Sequence, residues 1–260
     1  MFFFAMKTTI IQSDLVWEDK EANLEHFSSL IDNISGETDL IVLPEMFTTA
    51  FSMNPARFAE TMDGPSVKWM LKKSEEGNFA LCGTLIIEDE GGYYNRMLFV
   101  TPSGRITKYD KHHLHVISSE PEFYTPGNER VICDYMKFGF NLQICYDLRF
   151  PVWSRNTGNS DVIIYPALWP KARSHAWKSL LVARAIENQC YVVGVNRIGA
   201  NPDGTTYSGD SAIIGPRGET LASLASDTEG IATAVISRQE LDKYRKEMPV
   251  WRDSDPFTIG

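Results

Sequence analysis

Residues Asp39–Pro44 read DLIVLP, and residues Asp161–Pro166 read DVIIYP. Each stretch is a short apolar run closed by a proline, which is typical of a β-strand buried on both faces of a sheet. Each also follows a segment in which a helix is expected. Two similar halves whose sheets pack against each other, with the helices outside, would explain the similarity between these two stretches. A chance match between two buried strands is the alternative explanation.

The rest of the sequence alternates between helix-like and strand-like segments. Helices are predicted at 20–34, 65–76, 151–157 and 174–188. Strands are predicted at 6–12, 79–87, 93–101, 105–109, 130–134, 137–144, 190–196, 208–215, 219–223 and 230–235. No linker, low-complexity segment or charge run divides the chain. We therefore predict an α/β fold and a single domain over residues 1–260.

Composition excludes several classes of function. The chain has 260 residues, and 25 Lys and Arg against 34 Asp and Glu give a net charge of −9 with His neutral. Hydrophobic residues make up 43% and charged residues 23%, which is ordinary for a globular protein and argues against disorder. An acidic chain lacks the basic surface that nucleic acids and anionic membranes require. The apolar run at residues 1–6 is much shorter than the ~20 residues of a membrane span, and no charged segment of a secretory signal precedes it.

The four cysteines point to a reducing compartment and single out one thiol. No Cys-x-x-Cys pair is present, so neither a zinc knuckle nor a thioredoxin-type motif is expected. Cys82, Cys133 and Cys190 lie inside strand-like apolar runs and are interpreted as core residues. Cys145 instead ends an apolar run and is followed by YDLRFP. Reduced thiols in a chain without a signal sequence favour the cytoplasm.

Three predicted strand ends carry side chains suited to covalent catalysis. Glu45 follows the predicted strand DLIVLP. Lys111 follows YD at the end of another predicted strand, and Cys145 follows the predicted strand at 137–144. A carboxylate at the end of a buried strand is costly unless it has a partner or a task. Cysteine, glutamate and lysine together could act as nucleophile, base and oxyanion stabiliser. Each of these residue types alone is a weak signal.

The same three segments resemble the signatures of the nitrilase superfamily of carbon–nitrogen hydrolases. They are LPE at 43–45, DKHHL at 110–114 and CYDLRFP at 145–151, in the family's order and approximate spacing over nearly the whole chain. PALWP at 166–170, RAIENQ at 184–189 and YSGDS at 207–211 look most like the omega-amidase branch. The resemblance implies a four-layer α-β-β-α sandwich that dimerises through its helices. It also implies a thiol amidohydrolase without a cofactor that releases ammonia from small dicarboxylic monoamides such as 2-oxoglutaramate and 2-oxosuccinamate.

The resemblance assigns roles to individual residues. Cys145 would attack the amide to form a thioester, and Glu45 would serve as its general base. Lys111 and the backbone N–H of Tyr146 would stabilise the oxyanion. A second family glutamate matches Glu120, which would hold Lys111. Glu122 is a nearby rival, but only Glu120 stands seven places before Gly127.

A substrate with a distal carboxylate also needs a cation, and a guanidinium suits a carboxylate best. Arg173 is the candidate, with Trp169 as an apolar wall of the same pocket; a surface arginine at a helix start is the alternative for Arg173. Arg149 is interpreted as structural, tying down the turn after the nucleophile.

A zinc site and a papain-like site are two other interpretations of residues in these segments. His113 and His115 could share one face of an extended segment as zinc ligands do, but no third ligand follows and Lys111 would repel the ion, so no metal is expected. A papain-like site from Cys145, His175 and Asn196 lacks the local signature of that class.

Alternative functions also remain open at the level of sequence. Within the superfamily these are a deaminated-glutathione amidase, a carbamoyl-amine hydrolase or a nitrilase. Outside it, the fold could be a catalytically idle module that binds a partner through its helices. The family and an apolar helix around Trp177 favour a homodimer.

Overall fold

The computed structural model describes residues 4–158 and 160–259. Fourteen strands lie within these residues: β1 (Ala5–Gln12), β2 (Leu40–Val42), β3 (Ala80–Asp89), β4 (Gly92–Val100), β5 (Ile106–Asp110), β6 (Ile132–Tyr135), β7 (Phe138–Leu142), β8 (Val162–Ala167), β9 (Tyr191–Asn196), β10 (Ile198–Ala200), β11 (Thr206–Ser208), β12 (Ala212–Ile214), β13 (Thr220–Ser223) and β14 (Gly230–Ser237). The α-helices of the described part are α1 (Lys20–Asp32), α2 (Pro55–Phe58), α3 (Pro65–Gly77), α4 (Glu120–Phe123), α5 (Ser174–Asn188) and α6 (Arg238–Glu247). Short 3-10 turns occupy Val116–Ser118, Cys145–Arg149, Lys171–Arg173 and Val250–Asp253.

Two six-stranded mixed sheets form the centre of the molecule. The first has the order β14-β1-β2-β3-β4-β5, and the second has the order β13-β12-β9-β8-β7-β6. In the first sheet, β1, β2 and β3 are parallel and the flanking pairs are antiparallel. In the second, β7, β8 and β9 are parallel and the flanking pairs are again antiparallel. The two sheets therefore repeat one pattern of pairing.

The similar stretches DLIVLP at 39–44 and DVIIYP at 161–166 occupy equivalent places in this pattern. β2 is the middle of the three parallel strands of the first sheet, and β8 is the middle of the three in the second. The two similar stretches therefore lie at equivalent positions of a structural repeat, which favours the explanation by two similar halves. The predicted four-layer α-β-β-α sandwich is confirmed, because helices cover the outer faces of both sheets.

Alternating side chains on β2 show how the layers are held together. Leu40 and Val42 pack into the core between the sheets, whereas Ile41 and Leu43 pack into a second core with Phe27 of α1. All are fully buried. Because neighbouring side chains of a strand point to opposite faces, a buried middle strand must be apolar on both faces. Burying one such side chain contributes about 1.5–3 kcal/mol to the transfer free energy.

Helix α5 covers the second sheet and carries one correction. Trp177 and Leu181 lie buried against β9, where Gly194 leaves room for them: a Cβ on Gly194 would lie 2.6 Å from Leu181. Trp177 is thus part of the core of one subunit, and its apolar side chain is not a surface that favours dimer formation. The indole N–H donates to the backbone oxygen of Asp210 at 2.9 Å, which fixes α5 to the segment before β12.

Other local predictions differ from the structure. The helix predicted at 151–157 is wrong: residues 151–154 form turns, because PVWSRNTG has turn-forming residues and no repeating apolar face. Helix α6 and the hairpin of β10 and β11 were not predicted. No helix in the described part of the chain is both long and apolar enough to span a membrane.

Candidate active site

Glu45 extends from the end of β2 into a buried turn. The N–H of Leu43 still donates to Cys82 O at 2.8 Å, and the strand pairing ends there. Met46 has a positive φ of 41°, and its N–H donates to Thr84 Oγ1 at 2.7 Å. This sharp turn directs the fully buried carboxylate of Glu45 toward the other two predicted strand-end residues.

Lys111 lies between two glutamates. Its backbone N–H donates to Asn95 O at 3.0 Å, which places it just beyond β5. The ammonium Nζ lies 2.9 Å from Glu45 Oε1 and 3.0 Å from each carboxylate oxygen of Glu120. Burial alone would lower the pKa of Lys111, but the charges of Glu120 and Glu45 outweigh burial and raise the pKa. Lys111 therefore stays charged, and its three N–H groups all have acceptors.

Glu120, rather than Glu122, is the second glutamate of the site. It is the first residue of α4 and is completely buried, whereas Glu122 is exposed. Its Oε2 also accepts the backbone N–H of His115 at 2.6 Å. Burial raises the pKa of Glu120; Lys111 lowers it and Glu45 raises it further, and the net change is upward.

Cys145 lies on a strained turn that follows β7. Its φ is +43°, a left-handed conformation that residues other than glycine and asparagine rarely adopt. Asp147 holds the turn from within, because its carboxylate accepts the backbone N–H of Ile144 at 2.9 Å. The same carboxylate accepts the hydroxyl of Tyr109 at 2.7 Å and the backbone N–H of His113 at 2.9 Å. Asp147 thus joins the turn that carries Cys145 to the segment that carries Lys111.

The thiol of Cys145 is protonated at rest. Burial raises its pKa well above the ordinary value, and the negative charge of Glu45 adds to this effect while Lys111 opposes it. A neutral thiol is a poor nucleophile, so a thiol in this position needs a base in order to react. Glu45 is near enough for its charge to raise the pKa of the thiol, so a carboxylate is in place to receive that proton.

Tyr146 supplies a backbone donor next to the sulfur. It is the second residue of the 3-10 turn Cys145–Arg149, so its N–H has no partner within the turn. No hydrogen bond joins this N–H to another described residue. The Tyr146 ring is half-buried and packs edge-on against His115 at 4.9 Å between ring centres.

A cavity of about 760 Å³ opens onto the sulfur. Cys145, Lys111, Leu168 and Trp169 line it, and Phe51 packs over the ammonium of Lys111 at 5.3 Å. The outer wall comes from the hairpin of β10 and β11; its lining residues are Asn201, Pro202, Asp203, Gly204, Thr205, Thr206 and Tyr207. This volume suits a small substrate.

Two arginines face the same cavity. Arg149 stacks over the ring of Trp169 with its guanidinium carbon 4.7 Å from the ring centre, and Arg173 lies on the same wall. Neither guanidinium forms an ion pair or hydrogen bond with another described residue, whereas Trp169 Nε1 donates to Arg173 O at 2.9 Å. The interpretation of Arg149 as the residue that ties down the turn is wrong, because Asp147 does this and Arg149 points to the cavity.

His115 is a neutral imidazole on the cavity wall. Ser118 Oγ donates to His115 O at 2.9 Å and therefore accepts a hydrogen from His115 Nδ1, also at 2.9 Å. Burial and the positive charges of Lys111, Arg173 and Arg149 lower the pKa of His115 to about 4. The unprotonated Nε2 is thus left as an acceptor.

The alternative metal and protease sites are not assembled. His112 stacks on Trp153 and His113 stacks on Phe150, with ring centres 3.6 Å apart in each pair. No group of three or more possible metal ligands occurs among residues 4–158 and 160–259. His175 is exposed on α5. Asn196 bonds to the backbone of Trp169 in both directions, accepting its N–H and donating to its oxygen.

Sequence reasoning missed two residues that complete the site. Leu168 follows β8, and its backbone N–H donates to Glu45 Oε2 at 2.7 Å. Asn95 lies in β4, and its Nδ2 donates to Glu45 Oε1 at 2.8 Å. A backbone donor leaves no mark in the sequence. Asn95 does leave one, since it is an uncharged polar residue within the apolar strand YYNRMLFV.

Comparison with known proteins identifies the group to which these features point. The model of the carbon–nitrogen hydrolase family matches residues 7–246. Omega-amidase YafV of Escherichia coli K12 is 42% identical over 254 residues, which are 98% of this chain and 98% of that protein. A 2-oxoglutaramate amidase of Bacillus subtilis 168 is 35% identical over 255 residues, with 95% and 98% covered. A crystal structure of a CN-hydrolase superfamily protein from Xanthomonas campestris, with an arsenic adduct in its active site, is 36% identical, has a TM-score of 0.95 and covers 100% of both chains.

Proposed function

This chain belongs to the carbon–nitrogen hydrolase family and is an amidohydrolase, and from this premise we propose that it is an omega-amidase. It would hydrolyse the terminal amide of small dicarboxylic monoamides such as 2-oxoglutaramate and 2-oxosuccinamate to the dicarboxylate and ammonia. The observation that carries this proposal is the joining of Glu45, Lys111 and Glu120 by hydrogen bonds of 2.9–3.0 Å beside the thiol of Cys145, in a cavity with two unpaired arginines.

The first half-reaction forms a thioester. Glu45 takes the proton of Cys145 as the sulfur attacks the amide carbon, and a tetrahedral intermediate results. Glu45 then gives this proton to the amide nitrogen. The carbon–nitrogen bond breaks, ammonia leaves, and the acyl group stays on the sulfur. A base is needed for this step because burial raises the pKa of the thiol well above its ordinary value.

The developing negative charge on the carbonyl oxygen would be met by Lys111 and by the N–H of Tyr146. Lys111 contributes mainly its full charge, since its three N–H groups already bond to the two glutamates. If Glu120 keeps only one of its two contacts, one N–H of Lys111 becomes free for the oxyanion. Loss of one such donor typically lowers the rate about 10²–10³-fold.

The second half-reaction releases the acid. Glu45, left unprotonated after ammonia departs, takes a proton from water as the water oxygen attacks the thioester carbon. Collapse of this second intermediate breaks the carbon–sulfur bond, and the proton returns to the sulfur. The carboxylate product leaves and the resting thiol is restored.

Substrate choice would depend on the two cavity arginines. A guanidinium can donate two parallel hydrogen bonds to a carboxylate, and stacking on Trp169 holds that of Arg149 in place. We assign Arg173 and Arg149 together to the distal carboxylate of the substrate. Neutral amides and nitriles lack this group and should be poor substrates.

A substrate panel tests the proposal. Purified protein should release ammonia from 2-oxoglutaramate with a kcat/KM at least about 10²-fold higher than from propionamide, an N-carbamoyl amino acid or a nitrile. Mass spectrometry during turnover should show an acyl adduct on Cys145, and Cys145→Ala should release no ammonia. Preference for an N-carbamoyl compound or a nitrile would contradict the proposed substrate class. Absence of turnover and adduct with every compound would favour an idle binding module.

The same proposal includes a cytoplasmic homodimer. All four cysteines are free, which suits a reducing compartment. Ile186 of α5 is 47% exposed, and Met248 and Trp251 after α6 are 54% and 52% exposed. These apolar side chains are a candidate contact between subunits. Light scattering of the wild type and Trp251→Ser tests this: a dimer that the substitution weakens supports it, and a monomeric wild type contradicts it.

A further inference from the structure

Asn95 contacts Glu45, Glu120 and Lys111, although the proposed mechanism gives it no task. Its Nδ2 donates to Glu45 Oε1 at 2.8 Å and to Glu120 Oε1 at 3.3 Å. Its backbone oxygen accepts the N–H of Lys111 at 3.0 Å. Its side chain is completely buried, so these contacts are shielded from water. Asn95 is therefore placed to control how the two carboxylates are arranged.

The two oxygens of Glu45 are in different environments. Oε1 accepts from Lys111 Nζ at 2.9 Å and from Asn95 Nδ2 at 2.8 Å. Oε2 accepts the N–H of Leu168 at 2.7 Å and has no second donor among the described residues. Leu168 and Cys145 line the same cavity, and the N–H of Leu168 that binds Oε2 also lowers the pKa of Cys145, so Oε2 is the oxygen on the sulfur side. An oxygen with two donors, one of them charged, is less basic than an oxygen with one.

The orientation of the Asn95 amide has a cost. Its Oδ1 is buried and has no hydrogen-bond partner within the described residues. Turning the amide over would place this oxygen against Glu45 Oε1, and two acceptors at that distance repel each other. A buried acceptor without a partner destabilises the folded state. In this orientation the amide oxygen has no partner among the described residues, and the amide nitrogen donates to both carboxylates.

We propose that Asn95 is a positioning residue that reserves Oε2 of Glu45 for proton transfer with Cys145. Together with Lys111 it occupies Oε1, which stops the carboxylate from rotating and directs the thiol proton to Oε2. Its second bond holds Glu120 beside the same ammonium. The consequence for turnover rests on the proposed function, whereas the consequence for the acidity of the thiol does not.

The test compares two substitutions with the wild type. Asn95→Asp keeps the shape but replaces the donor with a third carboxyl group, and Asn95→Ala removes the donor without adding charge. Alkylation of Cys145 by iodoacetamide is followed by mass spectrometry from about pH 5 to about pH 11. The kcat and KM for 2-oxoglutaramate are measured over the same pH range. For Asn95→Asp we expect kcat to fall at least about tenfold with KM changed less than about threefold. The acid limb of the kcat profile and the pH midpoint of alkylation should both move up by about one unit. Asn95→Ala should lower kcat with a smaller shift of both.

Asn141→Asp is the matched control. Asn141 is a completely buried asparagine in β7 of the other sheet, and it has no bond to Glu45, Lys111 or Glu120. It should lose thermal stability without moving either pH profile. Should Asn95→Asp fail to fold, Asn95→Ala carries the same test.

Several outcomes would overturn the proposal. These are unchanged kcat and pH profiles in the Asn95 variants, a rise in KM with kcat unchanged, or an equal shift of both profiles in Asn141→Asp. A wild-type protein that releases no ammonia from any amide would refute the proposed function only. The alkylation profiles would then still decide the role of Asn95.

Discussion

The guanidinium carbon of Arg149 lies 4.7 Å from the ring centre of Trp169, on the wall of the cavity that holds Cys145. The positive charge of the guanidinium lies over the ring, where the cation–π attraction holds it. The side chain of Asn196 holds the backbone of Trp169. Asn196 Oδ1 accepts the N–H of Trp169 at 2.8 Å, and Asn196 Nδ2 donates to Trp169 O at 3.0 Å. The arginine is therefore held by an aromatic ring whose own backbone is fixed, which reduces the entropy lost when it binds a carboxylate.

Arg149→Met should weaken binding of acidic substrates selectively. Methionine keeps an apolar chain on Trp169 and removes the charge. A hydrogen bond to a charged group contributes about 1.5–3 kcal/mol, so kcat/KM for 2-oxoglutaramate should fall about 10–150-fold, mainly through KM. Steady-state kinetics should show the same direction for Arg173→Met. Hydrolysis of propionamide should change less than about threefold in both variants.

Arg217→Met is a control for that experiment, since Arg217 stacks on Tyr244 at 4.2 Å and does not line the cavity. It should leave the kinetics unchanged. An equal loss with the neutral and the acidic amide in Arg149→Met would contradict a role in carboxylate recognition.

Glu45→Gln should separate the acidity of the thiol from catalysis. The charge of Glu45 raises the pKa of Cys145, so its removal should move the pH midpoint of iodoacetamide alkylation downward. Ammonia release should nevertheless fall about 10²–10⁴-fold, because no base remains to shuttle the proton. Glu122→Gln changes an exposed glutamate and should affect neither quantity. An alkylation midpoint that rises in Glu45→Gln would show that this account of the thiol is wrong.

Asp147→Asn should cost both stability and activity. The carboxylate is completely buried and bonds to Tyr109, His113 and Ile144, which an amide cannot all satisfy. We expect the free energy of unfolding to fall by about 2–4 kcal/mol in urea denaturation, and kcat to fall as the turn at Cys145 loosens. Asp134→Asn, at an exposed position in β6, is the control. Wild-type stability in Asp147→Asn would rule out its role as the link between the two segments.

His115→Asn should improve tolerance of acid. Burial and nearby positive charges lower the pKa of His115 to about 4, below the value of about 6.5 expected in the unfolded chain. Between these values the unfolded chain binds a proton that the folded protein excludes, so the stability that this group contributes is present above about pH 6.5 and is lost as the pH falls toward about 4. Asparagine can keep the bond to Ser118 without titrating. The melting temperature of His115→Asn should therefore fall less between about pH 7 and about pH 4 than that of the wild type, and His175→Asn should behave like the wild type.

The sequence predicted those parts of the site that depend on strand ends. Glu45, Lys111 and Cys145 each follow a strand whose apolar run is unmistakable, and the sheet order then brings the ends together. Glu120 was found through the family's spacing to Gly127. A Cβ on this glycine would lie 2.3 Å from the backbone oxygen of Asp110, so glycine is needed where this loop crosses beside Lys111.

The sequence could not predict contacts made across the fold. Arg149 lies within the CYDLRFP motif, so its position in the sequence suggested a role in the local turn. Its place on the cavity wall depends on packing against Trp169, which is distant in the sequence. The hairpin of β10 and β11 was missed because its strands have three residues each, although NPDG at 201–204 is a turn signal. The predicted helix at 151–157 has no apolar periodicity, and residues 151–154 form turns instead.

The two sheets contribute different halves of the chemistry. Glu45 and Lys111 follow strands of the first sheet, Glu120 lies in α4 on the connection between the sheets, and Cys145 and the N–H of Leu168 follow strands of the second. In a partly folded chain whose sheets have not yet docked, the Cys145 sulfur therefore lies apart from the carboxylate of Glu45. Under the proposed mechanism such an intermediate does not hydrolyse amides. The time at which ammonia release begins during refolding would therefore report when the two sheets dock.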